Sequence, residues 1–162
     1  MTRTIIFCVD GSELSSDAVR KGVTLLQPGD RNILLTVADS PDQALLLGAS
    51  GFAGGTVTPE TFKEMQDAAQ SAANEVLQTA VTDLGSDAPA NLELVAITGN
   101  AGAAICAYAD EINATTIVIG SRGLGGLKRA VLGSVSDHVV RHAPCAVLIF
   151  GDIADVHDHE AH

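Results

Sequence analysis

Apolar residues along this chain fall into two kinds of run. Thr4-Ile5-Ile6-Phe7-Cys8-Val9, Asn32 to Ala38, Thr116-Ile117-Val118-Ile119 and Cys145 to Phe150 are short and almost unbroken. Being rich in β-branched residues, they predict strands buried on both faces. A further run, Asn91 to Ile97, alternates more and predicts a partly exposed edge strand. Between these runs apolar residues recur at three- and four-residue steps, the helical period. Leu14, Ala18, Val23, Leu25 and Leu26 predict a helix with Ser12 as N-cap, ending before Pro28-Gly29. Phe62, Met65, Ala69, Ala72, Ala73, Val76, Leu77, Ala80 and Leu84 predict a long helix stopped at Gly85. Ile105, Ala109 and Ile112 mark a short helix after the Gly99-Asn100-Ala101-Gly102 turn, and a last helix follows Gly133 to about Arg141.

Strands alternating with helices imply β-α-β units and a parallel sheet covered on both sides, a three-layer α/β/α sandwich. In such sheets ligands bind beyond the carboxyl ends of the strands, where the strand order reverses. Asp10 after the first strand and Gly120 after the fourth are placed to meet there. Residues 39–59, with two prolines and four glycines, predict a long flexible loop, and 151–162 an acidic, His-bearing, disordered tail.

A length of 162 residues suits one domain over 1–150. Aromatic residues are only 3% and Trp is absent, so the core must be built from Val, Ile, Leu and Ala. No apolar run approaches the ~18 residues of a membrane span. Met1-Thr2-Arg3 leads straight into a strand, so the expectation is a soluble, cytoplasmic protein without a signal peptide. A net charge of −11 argues against nucleic acid as a general partner. Cys8, Cys106 and Cys145 lack C-x-x-C spacing and read as buried reduced thiols.

The residues with most chemistry lie between Thr116 and Ser136. A strand ends at Gly120, a loop carries glycines at 123, 125 and 126, and Gly133-Ser134-Val135-Ser136 opens a helix. Glycine admits close backbone approach, and the first N–H groups of a helix favour an anion. Arg122, Lys128 and Arg129 lie in the same loop, in a chain with nine Lys and Arg in all. The pattern reads as a phosphate cradle, with a plain glycine-rich, solvated basic loop as the alternative. It is not a Walker A loop, and not the dinucleotide G-x-G-x-x-G after a first strand.

The spacing Gly120, two residues, Gly123, nine residues, Gly133, Ser134 resembles the G-x2-G-x9-G-[ST] signature of the universal stress protein family, in its ATP-binding branch. Val135-Ser136 fits the usual continuation. The resemblance covers roughly residues 3–150 and implies a Rossmann-like, adenine-nucleotide-binding sheet of order 3-2-1-4-5. It implies ATP, with Mg²⁺ on its phosphates, as ligand. Carried over position by position, the nucleotide would meet Cys8, Val9 and Asp10 at the end of the first strand and Val37 at the end of the second. Ile119 and Gly120 would line the base and ribose, and Arg122, Gly123, Gly133, Ser134, Val135 and Ser136 the phosphates. It also implies a homodimer through the last strand, 145–150, although Ala146 stands where many relatives carry proline.

No base stands beside a nucleophile, and no carboxylate pair is spaced for metal-assisted phosphoryl transfer. The expectation is therefore a nucleotide-dependent regulator or interaction module, at most a slow ATPase, and not an enzyme. The alternative is a nucleotide-independent dimeric scaffold that binds a protein partner. An FMN carrier is disfavoured by the few aromatic residues. His138 and His142, four apart on one helix, have no third ligand at metal-binding spacing and read as surface histidines, with Asp137 and Arg141 as an i,i+4 pair.

Overall fold

The computed structural model describes residues 2–41, 58–122 and 132–151. Five strands form one all-parallel sheet: β1 (Thr4–Cys8), β2 (Arg31–Ala38), β3 (Leu92–Thr98), β4 (Thr116–Gly120) and β5 (Ala146–Phe150). Their order is β3-β2-β1-β4-β5, as the family resemblance implies. β1 is central, with Ile6 opposite Ile33 of β2 on one side and Ile117 of β4 on the other. Four α-helices among the described residues link the strands: α1 (Glu13–Leu25), α2 (Pro59–Leu84), α3 (Ala101–Glu111) and α4 (Ser134–His142).

Because strand side chains alternate, each strand feeds two cores. Ile6, Cys8, Ile33, Leu35, Ile117 and Ile119 pack with Ile105, Cys106 and Ala109 of α3 and Val139 of α4. Ile5, Phe7, Val9, Leu34 and Val118 pack with Val19 of α1 and Leu77, Ala80 and Leu84 of α2. The result is the three-layer sandwich. No helix among the described residues is long and apolar enough to cross a membrane.

The capping signals behave as the sequence suggests. Ser12 accepts the Ser15 N–H at the start of α1, and Gly85 ends α2 at φ 52°, a conformation that favours glycine. The inward face of α1 meets the expectation at Ala18, and Val23 and Leu26 pack half-buried on the core, but it differs elsewhere. Leu25 is 66% exposed, while Ser15, Ala18, Val19 and Gly22 are buried. Crowding explains the difference: a Cβ on Gly22 would stand 2.7 Å from Val118 Cγ1. α1 therefore approaches the sheet through its small residues, which an apolar periodicity does not register. On α2, Ala73, Leu77, Ala80 and Leu84 are buried as expected, but Ala72 faces out and Phe62, Met65 and Ala69 are only half-buried.

At the amino end of the sheet the polar groups close on one another. Asn32, fully buried in β2, donates from Nδ2 to Gly29 O (3.1 Å) and Asn91 Oδ1 (2.7 Å), and its Oδ1 accepts the Gly29 N–H (3.0 Å). Asn91 in turn donates to Asp30 O at 2.7 Å. The Arg3 guanidinium caps the carbonyls of Gln27 and Pro28, and Arg31 holds Glu93 through two 2.7 Å bonds.

Candidate functional site

The carboxyl end of the sheet is built differently. β1 runs out at Cys8, and Val9 continues its ladder by donating N–H to Leu35 O at 2.9 Å. Asp10 follows, then Gly11 at φ 86°, which turns the chain into α1. Asp10 Oδ1 accepts both the Ser12 N–H (2.9 Å) and the Ser12 hydroxyl (2.6 Å), while its own N–H donates to Ser15 Oγ. One carboxylate oxygen of Asp10 is thus committed to the turn into α1. Oδ2 makes no hydrogen bond among the described residues and remains available to a ligand.

β4 ends on Gly120, which packs against the carbonyl of Leu14 at the start of α1; a Cβ there would sit 3.4 Å from that oxygen. The first and fourth strand ends therefore converge, as the sequence requires for one shared site. Ser121 extends the β4–β5 ladder by donating N–H to Phe150 O at 2.8 Å. Its carbonyl ties down the next helix: it accepts the Gly133 N–H at 2.8 Å and the Ser136 hydroxyl at 2.7 Å.

This arrangement revises two of the roles expected from the sequence. The Gly133 N–H and the Ser136 hydroxyl, 2% exposed at the residue level, are both spent on Ser121 O. Gly133 contributes its position as the α4 N-cap, without a side-chain cap of its own. The N–H groups of Ser134, Val135 and Ser136 have no partner among the described residues, whereas Asp137 N–H already closes on Gly133 O. Donors left at the positive end of a helix are suited to an anion.

Other sequence-selected residues are chiefly core. Ile119 and Cys8 are buried with α3 and α4, and half-buried Val37, opposite Ile97 of β3, packs on that same cluster. Val9 turns its side chain to the α2 side of the sheet. Only their backbones and the rims of their side chains can serve a ligand. Burial, with smaller effects from Cys106, Asp10 and Cys145, pushes the Cys8 thiol up to about 12, so it stays protonated and inert. All three cysteines are free thiols. Arg122 is half-buried beside Ser121. Gly123, Gly125, Gly126, Lys128 and Arg129 lie outside the described residues, as do most of the expected 39–59 loop and the tail.

Sequence reasoning missed Ser121, Ser12 and Ser15, which hold the site's backbone. Ser12 was legible as a cap only. Nothing in local pattern marks Ser121, because its role depends on a helix twelve residues further on.

A model of the universal stress protein family matches residues 1–151. The chain is 31% identical over 148 residues to universal stress protein Sll1388 of Synechocystis, covering 90% of this chain and 95% of that one. Among solved structures it resembles universal stress protein UspA from Lactobacillus plantarum, with 25% identity, a TM-score of 0.64 and coverage of 92% and 97% of the two chains. It also resembles a family protein from Arabidopsis thaliana with AMP bound, at 21% identity, TM-score 0.62 and coverage of 94% of each chain. A universal stress protein in complex with cAMP matches at 20% identity and TM-score 0.61, covering 93% and 97%. The chain belongs to the universal stress protein family.

Proposed function

We propose that this universal stress protein is a nucleotide-responsive regulator or interaction module that holds ATP or another adenine nucleotide. The observation that carries the reading is the start of α4, where the N–H groups of Ser134, Val135 and Ser136 have no partner among the described residues and Ser121, next to Gly120, anchors the helix start at the carboxyl end of the sheet. A phosphate group would be held by Ser134, Val135 and Ser136 N–H. The free oxygen of Asp10 suits a ribose hydroxyl, or a Mg²⁺ carried in on the phosphates. Mg²⁺ would supply charge neutralisation there. The AMP and cAMP complexes of structural relatives support an adenine nucleotide as the ligand class.

Among its described residues the site has donors suited to an anion and no group placed to drive a reaction. Asp10 Oδ1 is committed to Ser12, and no base lies beside a nucleophile among the residues discussed. We therefore read the protein as a binder, with ATP hydrolysis slow at most. β5 is an edge strand with Val147 to Phe150 only half-buried, which suits pairing with a second copy. A homodimer through 145–150 is the assembly we expect, and sedimentation at micromolar concentration tests it.

Calorimetry with ATP, AMP and cAMP in the presence of Mg²⁺ tests the site, comparing the wild type with Gly133→Val. A Cβ at Gly133 meets its nearest neighbour, Arg122 Cα, at 3.4 Å, so the variant can fold while its methyl groups crowd the Ser121 and Ser136 contacts that set the helix start. Micromolar binding lost in the folded variant is the expected result. A folded wild type that binds none of the three would overturn the reading in favour of a nucleotide-independent scaffold.

A further inference from the structure

β5 is at once an open edge of the sheet and a support of the helix start. Among the described residues it pairs with β4 alone, and Val147 to Phe150 are half-buried. The opposite edge, β3, carries Glu93, a charge of the kind that discourages strand pairing, whereas Ala146-Val147-Leu148-Ile149-Phe150 carries none. A second copy presenting the same uncharged strand is the occupant that fits this edge, in an isologous pair. The last residue of the strand, Phe150, accepts the Ser121 N–H at 2.8 Å. The carbonyl of Ser121 in turn accepts the Gly133 N–H at 2.8 Å and the Ser136 hydroxyl at 2.7 Å. The middle of α4 is held by other means: Val139 is buried, and a Cβ on Gly102 of α3 would fall 2.8 Å from His138 Cβ. Ser121 thus stands between the edge strand and the first turn of the helix.

We propose that pairing of β5 with a second copy sets the first turn of α4, so that self-association and nucleotide binding are linked. A five-residue strand with one neighbour opens at small cost, and opening it at Phe150 releases the Ser121 backbone. The ties to Gly133 and Ser136 then slacken, and the N–H groups of Ser134, Val135 and Ser136 lose their fixed geometry. A second copy on the outer edge of β5 holds the strand closed. The donors are then ordered before the ligand arrives, and binding no longer carries the ordering cost. By reciprocity, a nucleotide that orders the helix start closes β5 and favours the pair by the same factor. If the tie is made in about a third of free chains, association raises affinity about threefold. The link to nucleotide rests on α4 being the phosphate-holding helix; the tie between β5 and α4 does not.

The test uses the full, untagged chain. Sedimentation velocity over a concentration series, without and with ATP and Mg²⁺, gives the monomer–dimer midpoint. Calorimetry at concentrations on either side of that midpoint gives the ATP affinity of each form. Hydrogen exchange at the Gly133 amide, the group held by Ser121 O, is followed by NMR over the same series without nucleotide. ATP should lower the midpoint about threefold, and ATP affinity should rise by the same factor on association. The Gly133 amide should exchange more slowly in the dimer. A chain that stays monomeric, or a dimer whose ATP affinity and Gly133 exchange match those of the monomer, would overturn the proposal. Slower Gly133 exchange in a dimer that binds no nucleotide would sink the nucleotide reading and leave the tie between β5 and α4 standing.

Discussion

The two ends of the sheet handle polar groups in opposite ways. At the amino end, Asn32, Asn91, Gly29 and Arg3 satisfy one another, and no buried side-chain nitrogen or oxygen among the described residues lacks a partner. At the carboxyl end, the same backbone economy stops short. Ser121 O takes up two donors, Ser12 takes one oxygen of Asp10, and three N–H groups are left over. A closed network adds stability and offers nothing to a ligand. An open one gives up a little stability and keeps its donors ready.

The sharpest way to break this contrast is at Asn32. Asn32→Ala leaves the buried Gly29 N–H unsatisfied and takes the donor from the exposed Asn91 Oδ1, which should cost roughly 1–3 kcal/mol. Urea denaturation reads that as a lower midpoint at unchanged slope. Nucleotide affinity of the folded protein should stay the same; a large fall would mean that the two ends are not independent. Ser136→Ala acts at the other end and should have a smaller effect on folding, about 1 kcal/mol. Its signature is different, because the start of α4 loses its tether to Ser121 O. ATP should bind about fivefold more weakly, a change of about 1 kcal/mol by calorimetry. Unaltered affinity would show that Ser121 and Ser136 serve the scaffold alone.

The smallest effect belongs to the Arg31–Glu93 pair. Its side chains are 38% and 46% exposed, so solvent screens it and its worth is at most about 0.5 kcal/mol. The guanidinium's hydrogen bonds lower the Glu93 carboxyl below its ordinary value. A lowered carboxyl contributes stability at pH above its unfolded value and loses it as pH falls through the folded one. Glu93→Gln should therefore lower stability at neutral pH by at most about 0.5 kcal/mol and leave it unchanged in acid, which flattens the acid limb slightly. Thermal melts between pH 3 and about 7, spanning the carboxylate range, would record this.

Most of the fold was legible because its elements are strongly periodic. The β1, β2, β4 and β5 runs are continuous, and α2 carries a long apolar stripe between a clear start and Gly85. α1 was harder because its buried face is made of Ser15, Ala18, Val19 and Gly22, chosen for size rather than hydropathy. The candidate site was legible as a set of positions: Asp10, Gly120 and the Gly133–Ser136 turn do converge. Which atoms are free could not be read from spacing. The Gly133 N–H and Ser136 hydroxyl are consumed by a carbonyl whose importance exists only once the chain has folded back on itself.

That carbonyl has one more consequence. Ser121 O grips Gly133 and Ser136 at 2.8 and 2.7 Å, so the chain leaves the sheet and returns to it through a narrow, fixed neck. Ser121 is also bound to β5 through its own N–H on Phe150 O, so a displacement of the edge strand reaches the start of α4 through this one residue.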